Sequence, residues 1–124
     1  MENKSGFTLV ELLAVITVLG IVLVIASVSI TNIMNDSRKK TAEATAHAII
    51  RASSLYAFDN DYYESMSVLD SRLSYDGAKP ASGNVQTNED GDTKIAILIN
   101  GWCVTKDYDD ADVTASKSDV CNMP

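Results

Sequence analysis

Few residues in this chain have the means to do chemistry, and they lie far apart in the sequence. Cys103 and Cys121 are the only cysteines. As a disulfide they would close the segment between them, a constraint worth about 3 kcal/mol in the loop-entropy description. Such pairing implies an oxidising, extracytoplasmic compartment; two free thiols are the other reading. Two cysteines with no further Cys and no nearby His fall short of the four ligands of a structural zinc site. His47 is the only histidine and follows Glu43 by four residues. With no second histidine to support it, it reads as an exposed polar position, neither base nor ligand. Asp107, Asp109, Asp110 and Asp112 form an acidic cluster between the cysteines. Calcium, which wants six to eight oxygen ligands, is the one cofactor such a cluster raises. The cluster lacks the central Gly and the Glu at the twelfth position of an EF-hand loop, and the Asn88–Asp92 turn fails the same pattern, so a solvated acidic loop is the ordinary reading. No nucleophile–base pair, phosphate loop or metal-ligand set stands out, and no internal repeat. The chain reads as a non-enzyme.

The remaining residue with chemical interest is Glu11, and its setting shifts attention to the elements. From Phe7 to Met34 it is the only ionisable side chain. Leu12–Asn35 is 24 residues without charge, roughly 36 Å as a helix at about 1.5 Å per residue. That exceeds the roughly 30 Å hydrocarbon core of a bilayer. Leu, Ile, Val and Ala surround such a helix on every side. With no polar stripe to face water, it must sit in lipid or in an assembly that replaces lipid. A secretory signal peptide is the rival, with Ala26-Ser27-Val28-Ser29 imitating a cleavage site, but its apolar region is usually about 7–15 residues behind a basic start. Here Glu2 offsets Lys4, and the run is longer. Arg38, Lys39 and Lys40 follow the span, which by the positive-inside tendency places the C-terminal side in the cytoplasm; the cysteines argue for the opposite side.

The rest of the chain is acidic. The formal charge is −7, from 17 acids against 10 bases. Residues 59–124 hold 13 of the acids and 5 of the bases, a net −8. Nucleic acid is not expected as a direct partner, because phosphate neutralisation needs clustered cations.

Residues 4–11 read Lys-Ser-Gly-Phe-Thr-Leu-Val-Glu and run directly into the apolar segment. Over residues 4–34 this closely resembles the processing site and assembly helix of type IV pilins and of the pseudopilins of type II secretion and DNA-uptake systems. The resemblance implies a leader over residues 1–6, cut between Gly6 and Phe7 by a membrane prepilin peptidase that also methylates the new Phe7 amine. Gly6 suits this role, since a residue without a side chain lets the backbone approach a protease groove. The resemblance further implies assembly through Phe7 and Glu11. A carboxylate in an apolar helix costs about 2.5–3.5 kcal/mol at the membrane centre and less near an interface. At the headgroup level Glu11 would merely be solvated. In a packed fibre it would neutralise the Phe7 amine of a neighbouring subunit, or of its own, and the cost of an unpaired buried carboxylate would favour one axial register.

From the same resemblance follow the partners: a homo-polymer or mixed pilin filament, the prepilin peptidase, an assembly ATPase with its membrane platform, and the lipid bilayer before assembly. The protein would be a single-pass membrane protein and then part of an extracytoplasmic, cell-surface filament, serving adhesion, twitching motility, biofilm formation, DNA uptake or secretion. Arg38, Lys39 and Lys40 would meet acidic heads of adjacent subunits. Two alternatives are an anchored binding module that never polymerises and a secreted ligand cut after the apolar run. Many type IV pilins carry a proline later in the helix. Here Val28 stands near that place, the only prolines are Pro80 and Pro124, and Gly20 is the one weak point, at about 1 kcal/mol relative to Ala.

The expected fold is α+β. Ala42, Ala46, Ile49 and Tyr56, with Ser53 between the last two, continue a helical stripe at three- or four-residue steps, so one helix is expected from about Thr8 to Phe58, with Asp59-Asn60-Asp61 as its stop. The organisation expected is leader 1–6, transmembrane and filament-core helix 7–35, amphipathic half of the same helix 36–58, and globular head 59–124. Tyr62, Tyr63, Met66, Val68, Leu69, Leu73 and Tyr75 are expected head contacts. Asp90-Gly91 and Asn100-Gly101 bracket the run Lys94–Ile99, and Asn-Gly between apolar runs is the strongest short hairpin signal. They predict a small antiparallel three-stranded sheet, near 84–88, 93–99 and 102–106, with a C-terminal disulfide loop. A head this small needs a staple or a partner. In pilins a C-terminal disulfide loop flanks the sheet and carries subunit contacts, which the resemblance assigns to residues 103–121.

Replacing Gly6 by a bulky side chain, Gly6→Val, should cause full-length precursor to accumulate in the membrane. Immunoblotting for a chain heavier by the leader checks this, and normal maturation would displace the cleavage site from Gly6–Phe7.

Overall fold

The computed structural model describes residues 8–124, apart from the side chains of Val28 and Ser29. The leader, the Gly6–Phe7 pair and the missing-proline position at Val28 therefore lie outside the described residues. The chain divides into two compact units, one ending at Asn35 and the other running from Asp36 to Pro124.

Helix α1, Leu9–Asn60, is the long helix the sequence predicts. It stops where Asp61 adopts φ 53° and the Tyr62 N–H donates to the Ala57 carbonyl at 3.1 Å. A left-handed residue just past the end and a six-to-one hydrogen bond form a Schellman cap, and Asp is among the residues that tolerate it. The Asn60 amide adds a bond to the Tyr56 carbonyl at 3.1 Å.

In the unit from Asp36, α1 lies against an antiparallel meander: β1 Met66–Ser67, β2 Ser82–Thr87, β3 Thr93–Ile99, β4 Trp102–Lys106 and β5 Thr114–Lys117, in that spatial order. The three expected strands are β2, β3 and β4, with β2 beginning and ending slightly earlier than expected. The sheet has five strands, not three. The two missed strands are the edges. β1 is two residues long, and Thr114-Ala-Ser-Lys117 has no apolar alternation to announce it. They are strands because β1 pairs Met66 with Val85 and β5 pairs Lys117 with Trp102. The segment between the cysteines is thus partly strand.

Side-chain alternation puts Ile95, Ile97 and Ile99 of β3 on the face turned to α1, with Val85 and Val104 from the neighbouring strands. All five are buried with Ala42, Ala46 and Ile49 of the helix. Met66, Val68 and Leu73 complete this core, and Tyr62 and Tyr75 pack partly against it. Leu69, an expected contact, is instead 45% exposed. Tyr63 contributes through its backbone, accepting from the Gln86 amide at 2.9 Å.

A buried chain of hydroxyls crosses the helix–sheet interface. Ser53 and Thr87 oxygens are 3.0 Å apart, Thr87 and Thr93 are 3.0 Å apart, and Thr93 reaches Ser54 at 3.2 Å. Each hydroxyl can donate and accept, so the chain satisfies itself, which is the condition for burying polar groups without a net cost. The stripe position of Ser53 is thereby explained.

One turn and one close backbone approach set the strand register. Asn100 (φ 54°) and Gly101 (φ 78°) are both left-handed, as a two-residue type I′ hairpin between β3 and β4 requires. Gly83 has φ 147°, and a Cβ there would meet the Ala96 carbonyl oxygen and come within 2.8 Å of the Ile97 Cα. Backbone of β3, not a flexible side chain, blocks it. Gly83→Ala should therefore destabilise the folded protein by about 2 kcal/mol or more. Urea unfolding of the detergent-solubilised chain measures this, and an unchanged midpoint would contradict the close approach.

Candidate functional site

The N-terminal segment begins with a capped helix. Thr8 precedes α1, and its Oγ1 accepts the Glu11 N–H at 3.2 Å. Thr8-Leu9-Val10-Glu11 therefore has the spacing of a capping box, in which Ser or Thr caps and Glu or Gln sits three residues later. The sequence carried this signal. It gives Glu11 a second role besides the one the resemblance implies, because an anion in the first helical turn also meets the positive end of the helix dipole.

Beyond Glu11 the surface is apolar. The large apolar side chains described between Leu9 and Ile33 are each at least 50% exposed. Helix α1 is long and apolar enough to cross a membrane. Three hydroxyls described inside the span do not project polar hydrogens into these surroundings. Thr17 donates to the Leu13 carbonyl at 2.7 Å, Ser27 to Leu23 at 3.2 Å and Thr31 to Ser27 at 3.0 Å. Bonds back to the i−4 carbonyl satisfy a hydroxyl within its own helix, which suits a segment surrounded by hydrocarbon.

In the head, Cys103 and Cys121 form a disulfide with Cα atoms 5.2 Å apart, as the paired reading anticipated. Cys103 is a β4 residue opposite Leu98, on the sheet face turned away from α1. The Cys121 sulfur lies 3.1 Å from the Ile97 carbonyl oxygen, so the C-terminal segment is tied back onto β3 and β4. The Ser118 N–H bonds the Gly101 carbonyl at 3.1 Å.

Three of the four aspartates of the acidic loop are engaged locally. Asp110 Oδ2 accepts the Asp107 N–H at 3.0 Å, Asp107 Oδ1 the Tyr108 N–H at 2.7 Å, and Asp112 Oδ1 the Val113 N–H at 2.7 Å. Among the described residues, no group of three or more His, Cys, Asp or Glu converges as a metal would need. His47 is not simply an exposed position. Its side chain is 44% exposed, and Nε2 lies 3.1 Å from Asp112 Oδ1, joining the middle of the helix to the acidic loop.

Sequence reasoning also missed a cluster beside the end of α1. Arg72 forks onto Asp70, Nε to Oδ1 at 3.0 Å and Nη2 to Oδ2 at 2.8 Å. The guanidinium sits 5.0 Å from the Tyr62 ring centre and 5.7 Å from that of Tyr56. The two rings meet edge to face at 5.8 Å, a favoured aromatic geometry. Asp70 and Arg72, two residues apart in a loop, gave no periodic signal.

An apolar N-terminal helix with a capped first turn, followed by a disulfide-stapled α+β head, fits a membrane-anchored class of protein. Residues 1–27 match the family described as the prokaryotic N-terminal methylation motif, which is the leader signature of type IV pilins and pseudopilins. Comparison with curated proteins and with solved structures found no match. The motif and the apolar helix fit a membrane-anchored precursor processed by prepilin peptidase.

The Arg72 side-chain hydrogen bonds, with its backbone N–H, hold the Asp70 carboxyl down at about 2 from an ordinary 3.8. A carboxyl whose folded value is depressed stabilises the fold above its unfolded value and loses that contribution as pH falls through the folded one. The stability difference between wild type and Asp70→Asn should thus be full above about pH 4 and vanish by about pH 2. Urea midpoints across that range check it, and a difference independent of pH would contradict the fork.

Proposed function

We propose that this chain is a structural subunit of the type IV pilin kind. Prepilin peptidase cuts it after Gly6 and methylates Phe7, and the mature chain polymerises into a surface filament through its N-terminal helix. The match of residues 1–27 to the methylation motif carries this reading. The helix surface supports it: an uncharged span exposing Leu, Ile and Val on all sides is stable in lipid and equally stable where neighbouring helices replace lipid. Exchange of one apolar environment for another leaves van der Waals packing to hold the core. The ATPase and membrane platform supply the work of extraction. The head, with its disulfide, is the part presented outside.

In this reading Glu11 has two separable duties. At the N3 position of a capping box, its side chain can return a bond to the Thr8 N–H, a bond Gln makes as well. As an anion it neutralises the Phe7 amine within the fibre, which Gln does not do. Glu11→Ala removes both, and Glu11→Gln removes the charge while keeping a side chain the cap can use. Both variants should be processed normally, and both should give little or no sheared fibre. Fibre yield from Glu11→Gln at the wild-type level would assign Glu11 to the cap and remove the pairing role.

A further inference from the structure

The unit from Asp36 to Pro124 is electrically polar along α1. The hydrogen-bonded contacts fix which residues share an end. At the end where the chain enters this unit, the Lys39 ammonium stands 5.7 Å from the Trp102 ring centre, and Trp102 pairs across the sheet with Lys117. Arg38, Lys40 and Lys117 are exposed there. The acids at this end are Asp36, which pairs with Lys40 at 3.2 Å, Asp119, and Glu43 one turn further along α1. Cations outnumber them.

The opposite end lies roughly 30 Å away, twenty helical residues at about 1.5 Å each. Ser53 and Ser54 hold Thr87 and Thr93, so the Asn88–Asp92 turn sits beside the last turns of α1. Phe58 lies 3.3 Å from the place of a Cβ on Gly91. Asp59, Asp61, Glu89, Asp90 and Asp92 are all exposed at this end. Arg51 stands two turns back along α1, and the cations of the neighbouring strands and loop each have a partner within the head. Lys106 donates to the Thr93 and Asp107 carbonyls at 2.9 and 3.1 Å. Lys94 stands 5.1 Å from the Tyr108 ring centre, and Arg72 forks onto Asp70.

We propose that these two ends are the complementary halves of one contact between copies of this chain. The acidic edge of Asp59, Asp61 and the Glu89–Asp92 turn docks on the basic edge of Arg38 and Lys40 of a second copy displaced along the helix axis. The inference rests on the filament reading above: parallel helices packed with an axial stagger bring the entry end of one head towards the far end of another. A contact between two different patches of the same molecule is heterologous and does not close on itself, so it propagates. For a chain of charge −7, heads meeting at random repel, and opposing only the oppositely charged ends selects the register. Lys39 is half-buried against Trp102 of its own head, so the docking cations are its exposed neighbours, Arg38 and Lys40, the latter shared with Asp36.

The test compares sheared-fibre yield and mature N-terminal mass from cells producing four full-length chains. These are wild type, Arg38→Glu with Lys40→Glu, Asp90→Lys with Asp92→Lys, and the chain carrying all four substitutions. Each two-residue reversal puts like charges face to face and should cut fibre yield roughly tenfold. The four-residue swap restores opposite charges and should return yield to near wild type, which also shows that the substituted heads fold. All four should begin at methylated Phe7. Reversal variants yielding like wild type, or a swap no better than the single-ended reversals, would overturn the docking. A wild type that matures without forming fibre would fail before any variant is compared; that result overturns the filament reading, and the docking with it.

Discussion

An uncharged helix longer than a bilayer is thick cannot face water, and the N-terminal part of this protein is organised around that constraint. Between Leu12 and Asn35 no side chain carries charge, and the apolar residues described there are exposed on all sides. Two environments satisfy such a surface, hydrocarbon and other helices of the same kind. A subunit that moves from the first to the second exchanges one low-dielectric surrounding for another. The hydroxyls described in the span suit either. Thr17, Ser27 and Thr31 spend their hydroxyl protons on their own helix, and the one carboxylate sits in the first turn beside the capping Thr8.

The head solves a different problem, that of holding a small fold together in water. Its core is thin, one helix face against one sheet face, and small helix residues such as Ala42 and Ala46 let the two approach closely. Three devices supplement it. The Cys103–Cys121 disulfide ties the C-terminal segment to the outer sheet face. The Ser53–Thr87–Thr93–Ser54 hydroxyl chain fixes the angle and register of helix on sheet, because hydrogen bonds are directional where apolar contacts are not. Arg72 gathers Asp70, Tyr56 and Tyr62 at the close of α1. The acidic excess sits on the surface, where it keeps heads soluble.

What the sequence disclosed follows the strength of its periodic signals. The long helix, the Asn100-Gly101 hairpin and the central strands were legible because apolar period and turn chemistry agree there. The edge strands were not. Thr114–Lys117 is polar throughout and becomes a strand only by pairing with β4, a long-range event that leaves no local trace. The disulfide was legible as a pairing of the only two cysteines. The contacts of His47 with Asp112 and of Lys39 with Trp102 were not, since each joins residues more than sixty apart. At the N-terminus, the Gly6–Phe7 junction and Glu11 were legible through resemblance. The capping box was present in Thr8–Glu11 but is revealed as such only by where α1 begins.

The central claim is that a trimmed chain leaves the membrane by joining its own kind. The most direct measurement is the intact mass of this chain in material sheared from the cell surface, set beside its mass in the membrane fraction. A surface species that begins at methylated Phe7 and retains the Cys103–Cys121 disulfide is the expected result. A chain still beginning at Met1 and confined to the membrane, under conditions in which surface fibres form, would contradict it.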